Sequence, residues 1–259
     1  MAIIRLHPIK ALDPAAVNEA HIGPNGGLEL DRVWALYSAD GRWVNGKRTP
    51  AIHLIRAAYP PDVSSVTLSV PGDRRNIPPM TFAFPSDTDG ASEWLSMFFE
   101  QVIQVRYTRD GFPDDGLASG PTIVSTASLE AVSQWFPELT LNEARRRFRT
   151  TLEIDGVPAF WEDQLFAENE NSAVRFRIGD VAFEGSNPCA RCPVPSRDSQ
   201  SGEVIEGFQK RFAELRCAQL PPWSPAARFD HFYRLATNTR VPGGEFGKLL
   251  RVGDPLLFS

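Results

Sequence analysis

Prolines and glycines divide this chain into short segments, and this division limits the folds open to it. Of its 259 residues, 22 are proline and 19 are glycine, so few stretches can form a long helix or strand. Between the breaks lie short apolar or alternating runs that predict β-strands. The runs are Ile3–Leu6, Val33–Tyr37, Val66–Val70, Thr81–Phe84, Val102–Tyr107, Ile123–Ser125, Leu152–Ile154, Val174–Phe183 and Leu249–Phe258.

Helical patterns are fewer than strand patterns. Ala91–Glu100 has apolar residues at helical spacing, and Ser128–Phe136 follows a Ser-Thr cap signal. Val204–Cys217 also predicts a helix, and we expect Cys217 to lie in the core. Many short strands with few helices favour a β-rich α+β fold containing a barrel over a doubly wound sheet. The polar stretch Arg109–Gly120 is the best candidate for a linker.

Charge and hydropathy argue against several classes of protein. The net charge is −5 and the sequence pI is about 5.5, which argues against general binding to nucleic acid or to an anionic membrane. No apolar run approaches the roughly 20 residues of a membrane span, and the N-terminus lacks a signal-peptide pattern. Three cysteines are too few for a disulfide framework. We therefore expect a cytoplasmic protein without a nucleic-acid or membrane partner.

Two thiols lie three residues apart in Asn187–Gly202, a segment rich in proline, serine and arginine. Arginine beside a thiol favours the thiolate, which attacks electrophiles or binds soft metals. The four histidines are scattered and only one Cys-x-x-Cys is present, so no complete four-ligand zinc or iron–sulfur site is visible. Cys189 and Cys192 are either buried packing residues, or one of them is a nucleophile or a ligand to a metal held by a cofactor.

Basic residues lie near the ends of several predicted strands. Lys10 follows the first strand, Arg32 precedes the second, and Lys47 and Arg48 follow a Val-Asn-Gly turn. The run Arg145–Arg149 ends a helix before another strand. Cations at strand ends can converge on a phosphate or another anion at the mouth of a barrel. Taken singly, each fits better as a solvated charge or as a complement to a helix C-terminus; their occurrence with the thiol segment favours an anion site.

The acidic pair Glu162-Asp163 follows an aromatic pair. Adjacent carboxylates can take part in acid–base chemistry, but the sequence favours an exposed loop for these two. No GxGxxG or Walker loop is present, and residue order alone does not define a Ser/His/Asp triad.

A series of short motifs occurs in a fixed order along the chain. They are His7–Lys10, Leu30–Trp34, Asp40–Arg42, Arg147–Arg149, Ile178–Val181, the two cysteines followed by Asp198 and Gly202, and Val252–Pro255. In this order they resemble the molybdenum cofactor sulfurase C-terminal (MOSC) superfamily, and most closely its branch that includes the mitochondrial amidoxime-reducing component. The cysteine segment with its Asp and Gly offsets is the most specific part of the match.

The resemblance implies two domains. Residues 1–112 would form the MOSC N-terminal companion domain, which is mixed and barrel-like. Residues 113–259 would form the MOSC β-barrel with flanking helices.

The resemblance also implies a molybdenum–pyranopterin (molybdopterin) cofactor. Cys192 corresponds to the molybdenum ligand of the family and is the expected catalytic residue. Lys10, Arg32 and Arg149 correspond to residues that hold the pterin phosphate and dithiolene. The expected cofactor-binding set also contains Thr151, Arg48, Ser119 and Arg191.

Four positions depart from the family pattern. Ala11 and Ala190 replace small polar residues, Thr151 replaces an asparagine, and Phe232, with Tyr233 adjacent, replaces a tyrosine. These changes remove hydrogen bonds around the cofactor without removing the ligand or the main cations.

The function implied is the reduction of a small N-oxygenated compound, either N-hydroxylated or an N-oxide. The chain lacks the iron–sulfur extension of some bacterial relatives, so its electrons would come from a separate flavoprotein, ferredoxin or cytochrome.

Two alternatives remain open. In the first, Cys192 is a sulfur carrier: it receives a persulfide from a pyridoxal-phosphate enzyme, the partner alone holding that cofactor, and Arg191 and Arg197 lower the thiol pKa. In the second, the chain is a non-catalytic carrier of the molybdenum cofactor or a degenerate barrel kept for protein contacts.

Overall fold

The computed structural model describes residues 1–72, 76–112 and 118–258. These residues form four α-helices and fifteen β-strands, which confirms the β-rich α+β prediction. In this part of the chain, no helix has both the length and the apolar character needed to cross a membrane. The strands are β1 Ile3–Leu6, β2 Ala15–Val17, β3 Glu19–His21, β4 Trp34–Ser38, β5 Arg56–Ala58, β6 Ser65–Ser69, β7 Met80–Ala83, β8 Ile103–Tyr107, β9 Ile123–Ser125, β10 Leu152–Ile154, β11 Val174–Ile178, β12 Val181–Ala190, β13 Arg234–Arg240, β14 Leu249–Arg251 and β15 Leu256–Phe258. The helices are α1 Thr88–Phe99, α2 Thr126–Gln134, α3 Leu141–Phe148 and α4 Phe208–Ala218.

One eight-stranded sheet forms the larger part of the fold, in the order β15-β11-β12-β13-β9-β10-β1-β2. Its pairs are antiparallel except β9 and β10, which run parallel and are connected through α2 and α3. Ile4, Phe176 and Phe183 belong to the apolar core on this sheet, and Phe148 and Phe212 belong to a second core that involves the helices. Within the described ranges no pairing joins the edge strands β15 and β2, so the expected closure into a barrel is not seen there.

The first part of the chain adds two smaller sheets, β4-β8 and β5-β6-β7. Helix α1 packs on β8 and buries Trp94, Leu95 and Phe98, at the spacing that predicted it. Strands β1 and β2 instead join the large sheet through β10. Residues 113–117, at the predicted domain boundary and within the predicted linker Arg109–Gly120, lie outside the described residues, so the two-domain division stays a prediction.

The predicted strand Val174–Phe183 is a hairpin. Strands β11 and β12 are joined by a two-residue turn at Gly179-Asp180, and Gly179 has φ +55°, as the first position of such a turn requires. Strand β12 then continues one residue past Cys189. The first thiol therefore lies on a strand rather than in a loop, and only Cys192 lies in the irregular segment beyond it.

Helix α4 packs on the core through its predicted apolar face. Phe208, Phe212 and Arg216 are buried at a spacing of four residues, so an arginine completes the inner row. Cys217 is exposed, and the prediction that it lies in the core is wrong. One residue along a helix rotates the side chain by about 100°, which is enough to turn Cys217 away from this row.

The expectation of an exposed loop for Glu162 and Asp163 is also wrong. Both lie in the 3₁₀ helix Trp161–Leu165 and are 0% and 2% exposed. Asp163 forms an ion pair with Arg216 and accepts a hydrogen bond from the Ser224 hydroxyl. Since neither carboxylate lines the large cleft of the molecule, their role is in the fold.

Glu162 makes the stability of the fold depend on pH, and the substitution Glu162→Gln removes this dependence. Its Oε2 accepts hydrogen bonds from Ser128 Oγ at 2.8 Å and from the Ser125 N–H at 3.3 Å. Burial, together with the neighbouring Asp163, raises the pKa of Glu162 to about 7. The native state then holds this proton more tightly than the unfolded chain, so the contribution of Glu162 to stability is complete below pH 4.5 and is lost as the pH rises through about 7.

We therefore expect wild type to lose about 3 kcal/mol of unfolding free energy relative to Glu162→Gln between pH 4.5 and 8. Urea unfolding of both proteins across this pH range measures the difference between their unfolding free energies. Because the other carboxylates are the same in both proteins, their opposite pH trends cancel in this difference. Parallel pH profiles for the two proteins would contradict the prediction.

Candidate functional site

A cleft of about 790 Å³ lies between the first part of the chain and the end of the large sheet. Nine cationic side chains and two carboxylates line it, although the whole chain has a net charge of −5. A concave surface with this excess of one sign concentrates anions. The cations are Lys10, Arg32, Lys47, Arg56, Arg146, Arg147, Arg149, Arg191 and Arg197, and the carboxylates are Asp13 and Asp31.

The cleft brings together seven of the eight residues predicted for the site. Arg48 is the exception: it is exposed and does not line the cleft, whereas Lys47 does. Both follow a turn in which Asn45 Oδ1 accepts from their backbone N–H groups, and the turn presents adjacent side chains to different surroundings. The residues brought together are Lys10, Arg32, Ser119, Arg149, Thr151, Arg191 and Cys192.

The two thiols differ in their surroundings. Arg191 Nη1 donates to Cys189 Sγ at 3.1 Å, and its Nη2 donates to the Phe148 carbonyl. Cys192 is partly exposed, lines the cleft and makes no hydrogen bond among the described residues, so its sulfur is accessible to a ligand there.

The Asp and Gly offsets of the thiol segment have a structural explanation. Asp198 Oδ1 accepts from two backbone N–H groups of its own turn, and its Oδ2 lies 3.5 Å from Arg147 Nη2. Gly202 has φ +74°, and a Cβ there would lie 2.5 Å from the Pro50 carbonyl oxygen. These residues therefore hold the thiol segment between α3 and the N-terminal part of the chain.

Lys10 and Ser119 lie at the N-terminal side of the cleft. Lys10 Nζ donates to the Phe112 carbonyl at 3.0 Å and lies 4.2 Å from the centre of the Trp43 ring. The ring and the carbonyl together hold the ammonium in place. The Ser119 hydroxyl donates to the Asn25 carbonyl at 2.5 Å, so its lone pairs remain available as acceptors.

Arg32 belongs to a small buried charge network. It forms an ion pair with Asp31, whose Oδ1 accepts from the His7 backbone N–H at 2.7 Å. Burial alone raises the pKa of Asp31, but Arg32 and His7 outweigh it and lower this pKa to about 2. Burial, with the nearby Arg149, lowers the pKa of His7 to about 3. His7 is therefore neutral at pH 7, and the Arg32 guanidinium balances the charge of the Asp31 carboxylate.

The arginines in the basic run Arg145–Arg149 have different partners and different positions. Arg145 pairs with Glu153 at 2.7 Å, and Arg147 pairs with an acidic residue of its own helix. Arg149 is the C-cap of α3, with φ +52°. This left-handed turn ends the helix and brings Arg149 to the cleft, where Nη1 also donates to a carbonyl of the N-terminal part at 2.7 Å.

Of the positions that depart from the family pattern, some line the cleft and others do not. Ala11 and Ala190 line it without a polar side chain, and Phe232 does not line it. Tyr233 is buried and likewise does not line the cleft. Thr151 is 1% exposed, lines the cleft, and has a hydroxyl with no hydrogen-bond partner among the described residues. A buried hydroxyl of this kind is costly unless a ligand satisfies it.

Several lining residues were not predicted. His53 lines the cleft, and burial lowers its pKa, with Arg149 and Arg197 contributing. The sequence predicts Arg48 for the cofactor site rather than its neighbour Lys47, and nothing in the local pattern separates the two. Asn187 and Asn238 also line the cleft; only tertiary pairing shows that they belong together.

The fold and the site together define a class of protein: it is β-rich and has a cationic cleft beside a pair of cysteines. Residues 1–102 match the family model described as the MOSC N-terminal beta barrel domain, and residues 118–256 match the MOSC domain. The chain therefore belongs to the MOSC domain family.

Two curated relatives are similar to the chain over most of its length. It is 22% identical to mitochondrial amidoxime-reducing component 1 of Xenopus laevis, over 97% of this chain and 79% of that protein. It is 24% identical to mitochondrial amidoxime reducing component 2 of Bos taurus, over 77% of this chain and 66% of that protein. Together with the MOSC domain match, this similarity supports a function connected with the molybdenum cofactor.

The residues of the cleft fit a molybdenum–pterin cofactor. The accessible thiol of Cys192 is a soft ligand, the cations suit a phosphate, and the unsatisfied Thr151 hydroxyl lies in the same cleft. Cys192 would ligate the metal, while Lys10, Arg32 and Arg149 would hold the anionic groups.

Proposed function

We propose that the chain is a molybdenum-cofactor oxidoreductase that reduces N-hydroxylated or N-oxide compounds. The observation that carries this proposal is that Lys10, Arg32, Arg149 and Cys192 line one cleft of about 790 Å³, although they are far apart in the sequence. The names of the two relatives support the same class of substrate.

In the proposed reaction an N–OH group takes up two electrons and two protons and becomes N–H, with release of water. The bound cofactor would supply the two-electron chemistry at its metal. The chain's residues would bind and orient it: Cys192 through its thiolate, and the cations through charge-assisted hydrogen bonds. Arg191, tied to Cys189 and to Phe148, would keep the thiol segment in register with α3.

Electrons would come from a separate donor protein of the flavoprotein, ferredoxin or cytochrome type. No group of three or more His, Cys, Asp or Glu residues able to hold a metal occurs in the described ranges. The cytoplasmic location stays a prediction.

The test is metal and activity analysis of protein purified from a host that makes the cofactor. We expect molybdenum in wild type, reduction of an amidoxime with an artificial electron donor, and loss of both molybdenum and turnover in Cys192→Ser. Cys217→Ser, at the exposed thiol of α4, is the matched control and should behave as wild type. Wild-type protein without molybdenum, as inactive as Cys192→Ser, would refute the proposal; molybdenum without turnover of any N-oxygenated compound would favour a carrier.

One observation bears on the sulfur-carrier alternative. The Arg191 guanidinium that this alternative uses contacts Cys189, at 3.1 Å, rather than Cys192. If the chain carries sulfur, mass spectrometry after incubation with a cysteine desulfurase should find a persulfide, and Cys189→Ser and Cys192→Ser would show which thiol holds it. Absence of any persulfide would leave the molybdenum proposal as the better account.

A further inference from the structure

Four uncharged polar side chains form a row across the large sheet at the floor of the cleft. They are Asn187 on β12, Asn238 on β13, Thr122 just before β9 and Thr151 just before β10. All four line the cleft. Strands β12, β13, β9 and β10 are neighbours in that order, so the four residues come from four adjacent strands.

The strand register places these residues side by side. Asn187 pairs directly with Asn238. The antiparallel pair of Thr237 with Ile123, continued by one residue, sets Asn238 opposite Thr122. The Thr151 N–H donates to Thr122 Oγ1 at 3.1 Å, which completes the row. Three steps of about 4.8 Å between strands give a row roughly 14 Å long, long enough for a fused-ring ligand.

Two members of the row have a side-chain polar group with no hydrogen bond to a described residue, and the one on Thr151 is buried. The Thr151 hydroxyl, in a residue 1% exposed, has no hydrogen bond. Asn238 is 9% exposed, and its side-chain amide makes no hydrogen bond to any described residue. Asn187 Oδ1 accepts from the Ser186 hydroxyl at 2.8 Å, and its Nδ2 makes a long bond of 3.5 Å to the Pro188 carbonyl. Buried polar groups in native proteins are almost always satisfied, so the unbonded Thr151 hydroxyl supports a ligand at this floor.

The chemistry of the floor differs from that of the cleft walls. The rest of the lining includes nine cations, whereas the row offers only amide and hydroxyl groups that donate and accept without charge. A matching ligand has an anionic part and a flat, uncharged ring whose edge alternates donors and acceptors. A pterin has such an edge, formed by its pyrimidine carbonyl, ring nitrogens and amino group.

We propose that Asn187, Asn238, Thr122 and Thr151 form the subsite for the pterin ring, with the amides of Asn187 and Asn238 reading its pyrimidine edge. This inference rests on the proposed function and deepens it.

The test measures cofactor retention rather than turnover. Wild type, Thr151→Val and Asn238→Ala are purified from a host that makes the cofactor and washed identically. Pterin per chain is then measured by fluorescence after release and oxidation. Asn18→Ala, at an exposed position between β2 and β3, is the matched control. We expect each floor variant to retain roughly tenfold less pterin and the control to retain as much as wild type.

The cofactor-free proteins provide a second measurement. Thr151→Val removes an unsatisfied buried hydroxyl at nearly constant shape, so cofactor-free Thr151→Val should melt at or above the wild-type temperature. Weaker pterin retention together with equal or higher stability is not expected of a residue that only supports the fold.

The outcomes separate this inference from the proposed function. Wild type that holds pterin, with Thr151→Val and Asn238→Ala holding as much, would overturn the subsite alone. Wild type without any pterin would overturn the proposed function and the subsite with it.

Discussion

Replacing Arg149 with alanine is expected to lower cofactor retention about thirtyfold or more. Removing one partner of a largely desolvated, hydrogen-bonded charge pair costs roughly 2 kcal/mol at the lower end, and each 1.4 kcal/mol is a factor of ten. Arg149 lines the cleft, and the bond from its Nη1 to a carbonyl of the N-terminal part fixes the guanidinium before any ligand arrives. The substitution adds no backbone strain, because arginine and alanine have similar costs at φ +52°.

Arg48→Ala is the matched control. It removes the same charge from a residue that the sequence also assigned to the cofactor, but Arg48 is exposed and does not line the cleft. We expect its molybdenum and pterin contents to equal those of wild type. Arg149→Lys should fall between the two, since it keeps the charge but loses the planar fork. If Arg149→Ala retained as much cofactor as wild type, the assignment of Arg149 to the cofactor site would be wrong. The same would follow if Arg48→Ala lost as much cofactor as Arg149→Ala.

The elements that the sequence predicted well are those whose signal is local. Strand β1 and helix α1 follow from an apolar run and from an apolar face, and both occur as expected. The sequence predicts one strand over Val174–Phe183, whereas the Gly179-Asp180 step inside it is the turn of a hairpin. Apolar pattern alone does not distinguish an interruption from a turn; here the register of β11 on β12 decides it.

Strand β13 was not predicted, and its burial explains why. Five consecutive residues, Leu235 to Thr239, are buried, so the side chains on both faces are enclosed and no alternation marks the strand. Three of the five are polar, which hides the apolar run as well. Asn238 could therefore not be assigned to the site, because only pairing with β12 and β9 places it on the cleft floor.

The site residues also differ in whether a local sequence signal identifies them. Lys10, Arg32 and Cys192 stand in motifs that the resemblance identifies, and motifs of this kind are readable without coordinates. The choice between Lys47 and Arg48, and the burial of Glu162 and Asp163, depend on packing between segments far apart in the chain. Their local sequence has the polar character of an exposed loop, since the partners that satisfy them lie elsewhere.

Replacing Arg216 with alanine should have the largest effect on stability, about 3 to 5 kcal/mol of unfolding free energy. Arg216 is 1% exposed, pairs with Asp163, and places its guanidinium 4.1 Å from the centre of the Phe160 ring. Alanine removes this packing and leaves a buried carboxylate without its counter-charge. At about 2 to 4 °C per kcal/mol for a domain of this size, the melting temperature should fall by roughly 10 °C.

A second pair on the same helix provides the control. Lys210 and Glu214 lie 4.0 Å apart and are 83% and 63% exposed, so Lys210→Ala should cost at most about 1 kcal/mol. The double variant Asp163→Asn/Arg216→Met should recover much of the loss, because removing both charges avoids an uncompensated one. Urea and thermal unfolding measure all three. If Arg216→Ala were no more destabilising than Lys210→Ala, the buried pair would not support the packing of α4 on the 3₁₀ helix Trp161–Leu165, and α4 would owe its position to Phe208 and Phe212 alone.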